Sequence, residues 1–241
     1  MFKLSIFINI ILSSFFVVYL YKRGGISYIL KRIFSSKTKV KISQKSPLKR
    51  YYIDKMGLYE ILKLEENDII FIGDSLIEAC EWNELFADIR IKNRGLGGDT
   101  TEKVYERLDI ILASQPHKIF IMAGIIDMGQ KISNSQIIMN YRKIIDKILH
   151  KSPHTKIYIH SILPVNNYLN IFEKRESEKI IKLNKQIEVL TSEYKFTYID
   201  LFSFFAKENN QLNEKYTNDG LHLNGSGYLL WKSKIEKSVY E

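Results

Sequence analysis

Between residue 68 and the C-terminus, short apolar runs of strand length alternate with segments of helical period, and that alternation leaves few architectures open. Residues 68–72 (DIIFI), 89–92, 118–123 (KIFIMA), 156–160 (KIYIH) and 196–199 (FTYI) read as buried strands. In 134–151, Ile137, Ile138, Tyr141, Ile144, Ile145, Ile148 and Leu149 fall on one stripe of a helix. Ile180, Leu183, Ile187 and Leu190 mark a second helix, residues 225–239 a third around Leu229, Leu230 and Trp231, and 55–64 a short helical lead-in. Five strands separated by helices predict an α/β fold: a five-stranded parallel sheet with helices on both faces. In such sheets ligands bind beyond the carboxyl ends of the strands, so the residues just after each strand are the ones to inspect.

Charge divides the chain. Of 36 Lys and Arg, 11 lie in residues 1–50, where no Asp or Glu occurs; the first acid is Asp54, which leaves 25 positive against 27 negative charges in 51–241. The net charge of +9 therefore belongs to the N-terminal tail, and the near-neutral remainder is a poor match for a nucleic-acid partner. Within the tail, residues 4–20 (LSIFINIILSSFFVVYL) are uncharged and mostly apolar, and Tyr21-Lys22-Arg23 ends the run. Seventeen residues is the short end of a bilayer span. A signal peptide would want a small-x-small cleavage site, which does not follow, and a core helix fits badly with the abrupt basic end. The expectation is a single-pass anchor in 1–21 at the cell membrane, a basic linker in 22–50 drawn to anionic headgroups, and one globular domain in 51–241. The basic flank favours a cytoplasmic domain, whereas analogy with anchored hydrolases favours the outer face. The lone Cys80 offers neither an internal disulfide nor a CxxC metal site.

Three strand ends carry chemistry. After the first strand, Gly73-Asp74-Ser75-Leu76 leads into a helix-like run. A serine on such a turn is exposed at the sheet edge, and its own N–H joins the unpaired amides of the helix start, which suits a nucleophile. The same residues, with Glu78 three after Ser75, also read as a capping box. After the second strand, Gly95-Leu96-Gly97-Gly98-Asp99-Thr100 allows close backbone approach to a ligand, or is simply a turn; the Gly-Lys-Ser/Thr of a P-loop and a GxGxxG with a downstream acid are both missing. Near the C-terminus, Asp219 precedes His222 by three residues, a spacing at which the carboxylate can reach the imidazole and fix its tautomer. His117, His150, His154 and His160 have no such company and read as structural.

Gly73-Asp74-Ser75-Leu76, Gly98-Asp99-Thr100 and Asp219-Gly220-Leu221-His222, in this order, resemble three of the four sequence blocks of the SGNH/GDSL hydrolase superfamily over roughly residues 65–240. The resemblance implies a flavodoxin-like three-layer α/β/α sandwich that hydrolyses esters without a metal or organic cofactor. It implies Ser75 as nucleophile, His222 as general base and then acid, Asp219 as its orienter, and the amides of Ser75 and Gly98 as oxyanion donors. The fourth block departs. Where the family usually carries Gly-x-Asn-Asp, this chain has Gly124-Ile125-Ile126-Asp127, so Ile126 stands in place of a side-chain oxyanion donor. Loss of one such donor costs about 10²–10³ in turnover in other enzymes.

The expected function is thus a membrane-anchored serine esterase of acyl lipids or acylated sugars, slowed by Ile126. The alternatives are acyl transfer to a hydroxyl other than water, or a degraded domain kept as a binding module. Asn166, in Pro164–Tyr168 after the fourth strand, is a candidate replacement donor; that segment and the aromatic run 202–205 are where a site wall or lid would lie.

Overall fold

Isoleucine and aromatic residues alternate so as to give the sheet two chemically different faces. The computed structural model describes residues 47–169 and 175–241. Its strands are β1 (Ile69–Gly73), β2 (Ile91–Gly95), β3 (Lys118–Met122), β4 (Lys156–His160) and β5 (Thr197–Ile199). All pairs are parallel, in the order β2-β1-β3-β4-β5, which is the flavodoxin-like winding. Helices α1 (Pro47–Ile61), α2 (Ser75–Glu78), α3 (Trp82–Phe86), α4 (Thr101–Leu112), α5 (Ile125–Gly129), α6 (Asn134–Lys151), α7 (Ser177–Glu193), α8 (Phe202–Phe205) and α9 (Gly225–Tyr240) connect and flank them. Residues 51–241 make one compact unit.

On one face, Ile70, Ile72, Ile119, Ile121, Ile157 and Ile159 pack against Val104 and Leu108 of α4, Ile144 and Ile148 of α6, and Leu183 and Ile187 of α7. On the other, Phe71, Phe120 and Tyr158 stand side by side in register across β1, β3 and β4. Their rings stack at 4.8 and 4.5 Å between centroids, and Trp82 of α3 stacks on Phe71 at 4.5 Å. Such aromatic pairs add about 0.5–1.5 kcal/mol beyond the area they bury. Trp231 and Ile235 of α9 close this second layer. Helices on both faces of one sheet give the three layers.

The α/β class and five parallel strands agree with the sequence reading, but one strand and one helix are displaced from it. The second strand runs Ile91–Gly95 rather than 89–92; Ile89 is 82% exposed, because the turn held by Arg90 and Asp88 delays entry into the sheet. This is an edge strand, so the polar Lys92, Asn93 and Arg94 fit it. Helix α1 begins at Pro47, inside the stretch read as basic linker; proline is suited to a first helical position because its missing N–H is not needed there. The expected membrane segment 4–20 and linker residues 22–46 lie outside the described residues. Among the described residues no helix is long and apolar enough to cross a membrane.

Candidate active site

The site is assembled where the strand order reverses, beyond the carboxyl ends of β1, β2 and β3. Asp74 caps α2, its Oδ1 accepting the Leu76 N–H at 2.9 Å, which turns the chain sharply out of β1 and puts Ser75 on the first helical position. A four-residue helix has few bonds of its own, and its carbonyls are satisfied from outside. Tyr228 Oη donates to Leu76 O, Trp82 Nε1 to Ile77 O, and Asn93 Nδ2 to Ile77, Glu78 and Cys80 O at 2.8–3.0 Å. The Ser75 turn is therefore a rigid platform. Burial pushes the Asp74 carboxyl up to about 7, against the Leu76 N–H that favours its charge.

The glycine loop is locked onto that platform. An added Cβ at Gly95 would sit 2.2 Å from Glu78 N, so only glycine allows this approach. Gly98 has φ +82°, a left-handed conformation that glycine adopts freely. Asn93 Oδ1 accepts the Gly95 N–H at 2.8 Å, and buried Arg107 joins Asp99 (2.5 Å) to Gly73 O (3.0 Å) across the root of the loop. Among the described residues no acceptor takes the Ser75 or Gly98 N–H. Both amides belong to backbone at the rim of the Ser75 turn.

His222 is brought to the same rim by the loop before α9. Asp219 Oδ1 accepts the N–H groups of Leu221 and His222 at 2.9 and 2.8 Å, while its Oδ2 lies 2.7 Å from His222 Nδ1. Gly220, at φ +80°, donates to Thr217 Oγ1 and accepts from Asn166 N. His222 Nε2 stands 3.0 Å from Ser75 Oγ. Hydroxyl, imidazole and carboxylate thus form one hydrogen-bonded series from residues 147 positions apart in the chain. Burial acts to raise the Asp219 carboxyl, but the His222 ring and the two amides prevail and hold it below the usual value.

Other expectations come out differently. Asn166 braces the loop: its Nδ2 donates one bond to Leu212 O and its Oδ1 accepts from Tyr168 and Leu169 N. Glu78 makes no capping box with Ser75; its Oε2 accepts the Gly97 N–H at 2.7 Å instead. Phe202 and Phe205 are buried in the core, and Phe204 is half exposed. Ile126 sits half-buried in the first turn of α5, packed against the aliphatic face of the sheet. Next to it, buried Asp127 accepts the Thr101 N–H and hydroxyl, and Asn140 Nδ2 extends the chain to Thr101 Oγ1. Arg107 and Asn140 were not legible as site supports. Their signal was a polar residue inside an apolar helical stripe, which says that a partner exists but not which one.

The molecule is thus a three-layer parallel α/β protein with a serine, a histidine and an aspartate hydrogen-bonded in series at its switch point. Residues 71–230 match the GDSL-like Lipase/Acylhydrolase family, and the chain belongs to that family. It is 26% identical over 186 residues to platelet-activating factor acetylhydrolase IB subunit alpha2 of Rattus norvegicus, covering 74% of this chain and 77% of that protein. A solved Streptococcus pneumonia protein, provisionally described as a platelet activating factor, is 31% identical with a TM-score of 0.75, over 80% of this chain and 94% of that one. A GDSL-like lipase from Bacteroides thetaiotaomicron shares the fold, with a TM-score of 0.66 at 22% identity over 80% and 97% of the two chains.

Proposed function

We propose that this protein is a serine ester hydrolase that removes a short acyl group, through a covalent acyl-Ser75 intermediate. The observation that carries the reading is the contact of Ser75 Oγ with His222 Nε2 at 3.0 Å, with Asp219 at 2.7 Å behind the ring. Ser75 donates its hydroxyl proton to Nε2 as Oγ attacks the ester carbonyl; Asp219 steadies the imidazolium that results. The developing oxyanion is met by the Ser75 and Gly98 N–H groups. The imidazolium returns the proton to the leaving alcohol, and water, deprotonated by His222, then releases the acid. With Ile126 lacking a donor, turnover is expected to be slow. The acetylhydrolase relative supports a small acyl group. The apolar 4–20 and basic 22–50 stretches support tethering at a membrane with anionic headgroups, so the full chain is expected in the membrane fraction.

A fluorophosphonate probe should label Ser75, and p-nitrophenyl acetate should be hydrolysed. Ser75→Ala should lower turnover by on the order of 10⁴-fold or more; equal activity in that variant would remove Ser75 from the mechanism. Ile126 also favours a second reading, a binding module on a degraded hydrolase fold. Absence of both labelling and turnover in wild type and in Ile126→Asn would support it.

A further inference from the structure

Glu78 is a carboxylate beside the Ser75 turn that the proposed chemistry does not use, and both of its oxygens are engaged. Oε2 accepts the Gly97 N–H at 2.7 Å; Oε1 accepts the Tyr51 hydroxyl at 2.5 Å and lies 3.8 Å from Lys55 Nζ. The side chain is only 16% exposed. The bond to Glu78 raises the Tyr51 phenol to about 12. Tyr51 and Lys55 both come from α1, whose Tyr59 also donates to Gly95 O at 2.6 Å.

Besides Glu78, the tip of the loop is held by one turn bond, the Asp99 N–H donating to Leu96 O at 3.1 Å across Gly97 and Gly98. An added Cβ at Gly98 would meet nothing within 4 Å, so that side of the residue is open. The Lys103 ammonium reaches Gly98 O only at 3.4 Å. Two consecutive glycines have more conformational freedom than any other pair, and that freedom must be removed if the Gly98 N–H is to keep one direction. The 2.7 Å bond from the Gly97 N–H to the Glu78 side chain removes part of that freedom. It also starts from the right place: Glu78 and Ser75 sit on the same four-residue helix. The loop packs onto this helix, an added Cβ at Gly97 lying 3.8 Å from Ser75 Cβ.

We propose that Glu78 is a positioning residue that fixes the Gly98 N–H relative to the Ser75 N–H, setting the spacing of the two oxyanion donors. The proposal rests on the ester-hydrolase reading of Ser75. It assigns the carboxylate an acceptor role, not a charge role, so glutamine should substitute and a side chain of the same length without an acceptor should not.

The test is kcat and KM for p-nitrophenyl acetate, the rate of fluorophosphonate labelling and the melting temperature, in the full chain and in Glu78→Gln, Glu78→Met, Glu78→Ala and Tyr51→Phe. Glu78→Met and Glu78→Ala should lose about 10–100-fold in kcat, the scale expected for a misplaced group, with KM changed less than about 3-fold. Glu78→Gln should keep kcat within about 3-fold of wild type, and Tyr51→Phe should fall between the two. If Glu78→Ala does not fold, the Glu78→Met and Glu78→Gln pair carries the comparison alone. An active wild type with Glu78→Met equal to it overturns the positioning role and leaves the hydrolase reading intact. A fall in Glu78→Gln as deep as in Glu78→Met also overturns it, since the charge would then be what matters. Silence of the wild type towards both ester and probe sinks the hydrolase reading, and this proposal with it.

Discussion

The segments that follow β2 and β3 lie on either side of the end of β1 and are built differently. At the end of β2 the proposed oxyanion donors are backbone amides, and side chains hold the loop that carries them: Asn93 on Gly95, Glu78 on Gly97, and Arg107 with Asp99 at the root. At the end of β3 the bracing is equally good, with Asp127 accepting two bonds from Thr101, yet residue 126, where the family resemblance expects a side-chain donor, is an isoleucine packed on the aliphatic core. A backbone donor survives almost any substitution that preserves the loop. A side-chain donor disappears with a single change while its scaffold stays in place. The contrast separates what the fold maintains from what one codon can remove.

Four measurements would break or sharpen this comparison. Ile126→Asn should raise kcat for p-nitrophenyl acetate by about 10²–10³, the value of one oxyanion donor; no gain would mean that side chain 126 does not face the reacting carbonyl. Gly95→Ala should lower kcat by on the order of 10²-fold, because its Cβ would collide with Glu78 N at 2.2 Å and drive the loop off the Ser75 helix. Wild-type kinetics in that variant would mean the loop has room to shift without moving Gly98. Asp127→Ala should cost about 1–3 kcal/mol by orphaning the buried Thr101 N–H, seen as a lower melting temperature. An unchanged melt would mean that water or Asn140 takes over the bond.

The smallest effect concerns β4, whose end offers nothing to the site. His160 is buried between Phe120 and Trp231, neither ring nitrogen has a partner among the described residues, and burial lowers its pKa to about 3. Its folded value lies below its unfolded value, so the unfolded chain binds the extra proton. The stability it contributes as a neutral ring is present above about pH 6.5 and is lost towards pH 3, at up to roughly 1.4 kcal/mol per pH unit. His160→Phe should melt progressively higher than wild type as pH falls from 6.5 to 4. A difference independent of pH would show that His160 gains a buried partner on protonation.

Much of this site was readable from residue order. The Ser75 turn, the glycine loop and the Asp219–His222 pair each rest on contacts between near neighbours, and local spacing reports such contacts well. The Asp219 turn is complete within four residues. The supports were not readable, because they join distant segments: Arg107 to Gly73 O, Asn166 to Gly220 and Leu212, Tyr51 to Glu78. Glu78 shows the difference best. Its spacing from Ser75 matches a capping box, but Asp74 already caps the helix, and the arrival of β2 alongside it supplied the Gly97 N–H as a better partner.

Hydrophobic period and turn chemistry are properties of a few adjacent residues, so the linear chain determined the alternating elements, the parallel sheet and the three loops that carry the candidate residues. Strand order, the 3.0 Å approach of Ser75 to His222, and the bond of Asn166 Nδ2 to Leu212 O were decided only by packing. Each of these depends on which surfaces meet when the two faces of the sheet are covered, and a one-dimensional pattern carries no record of that.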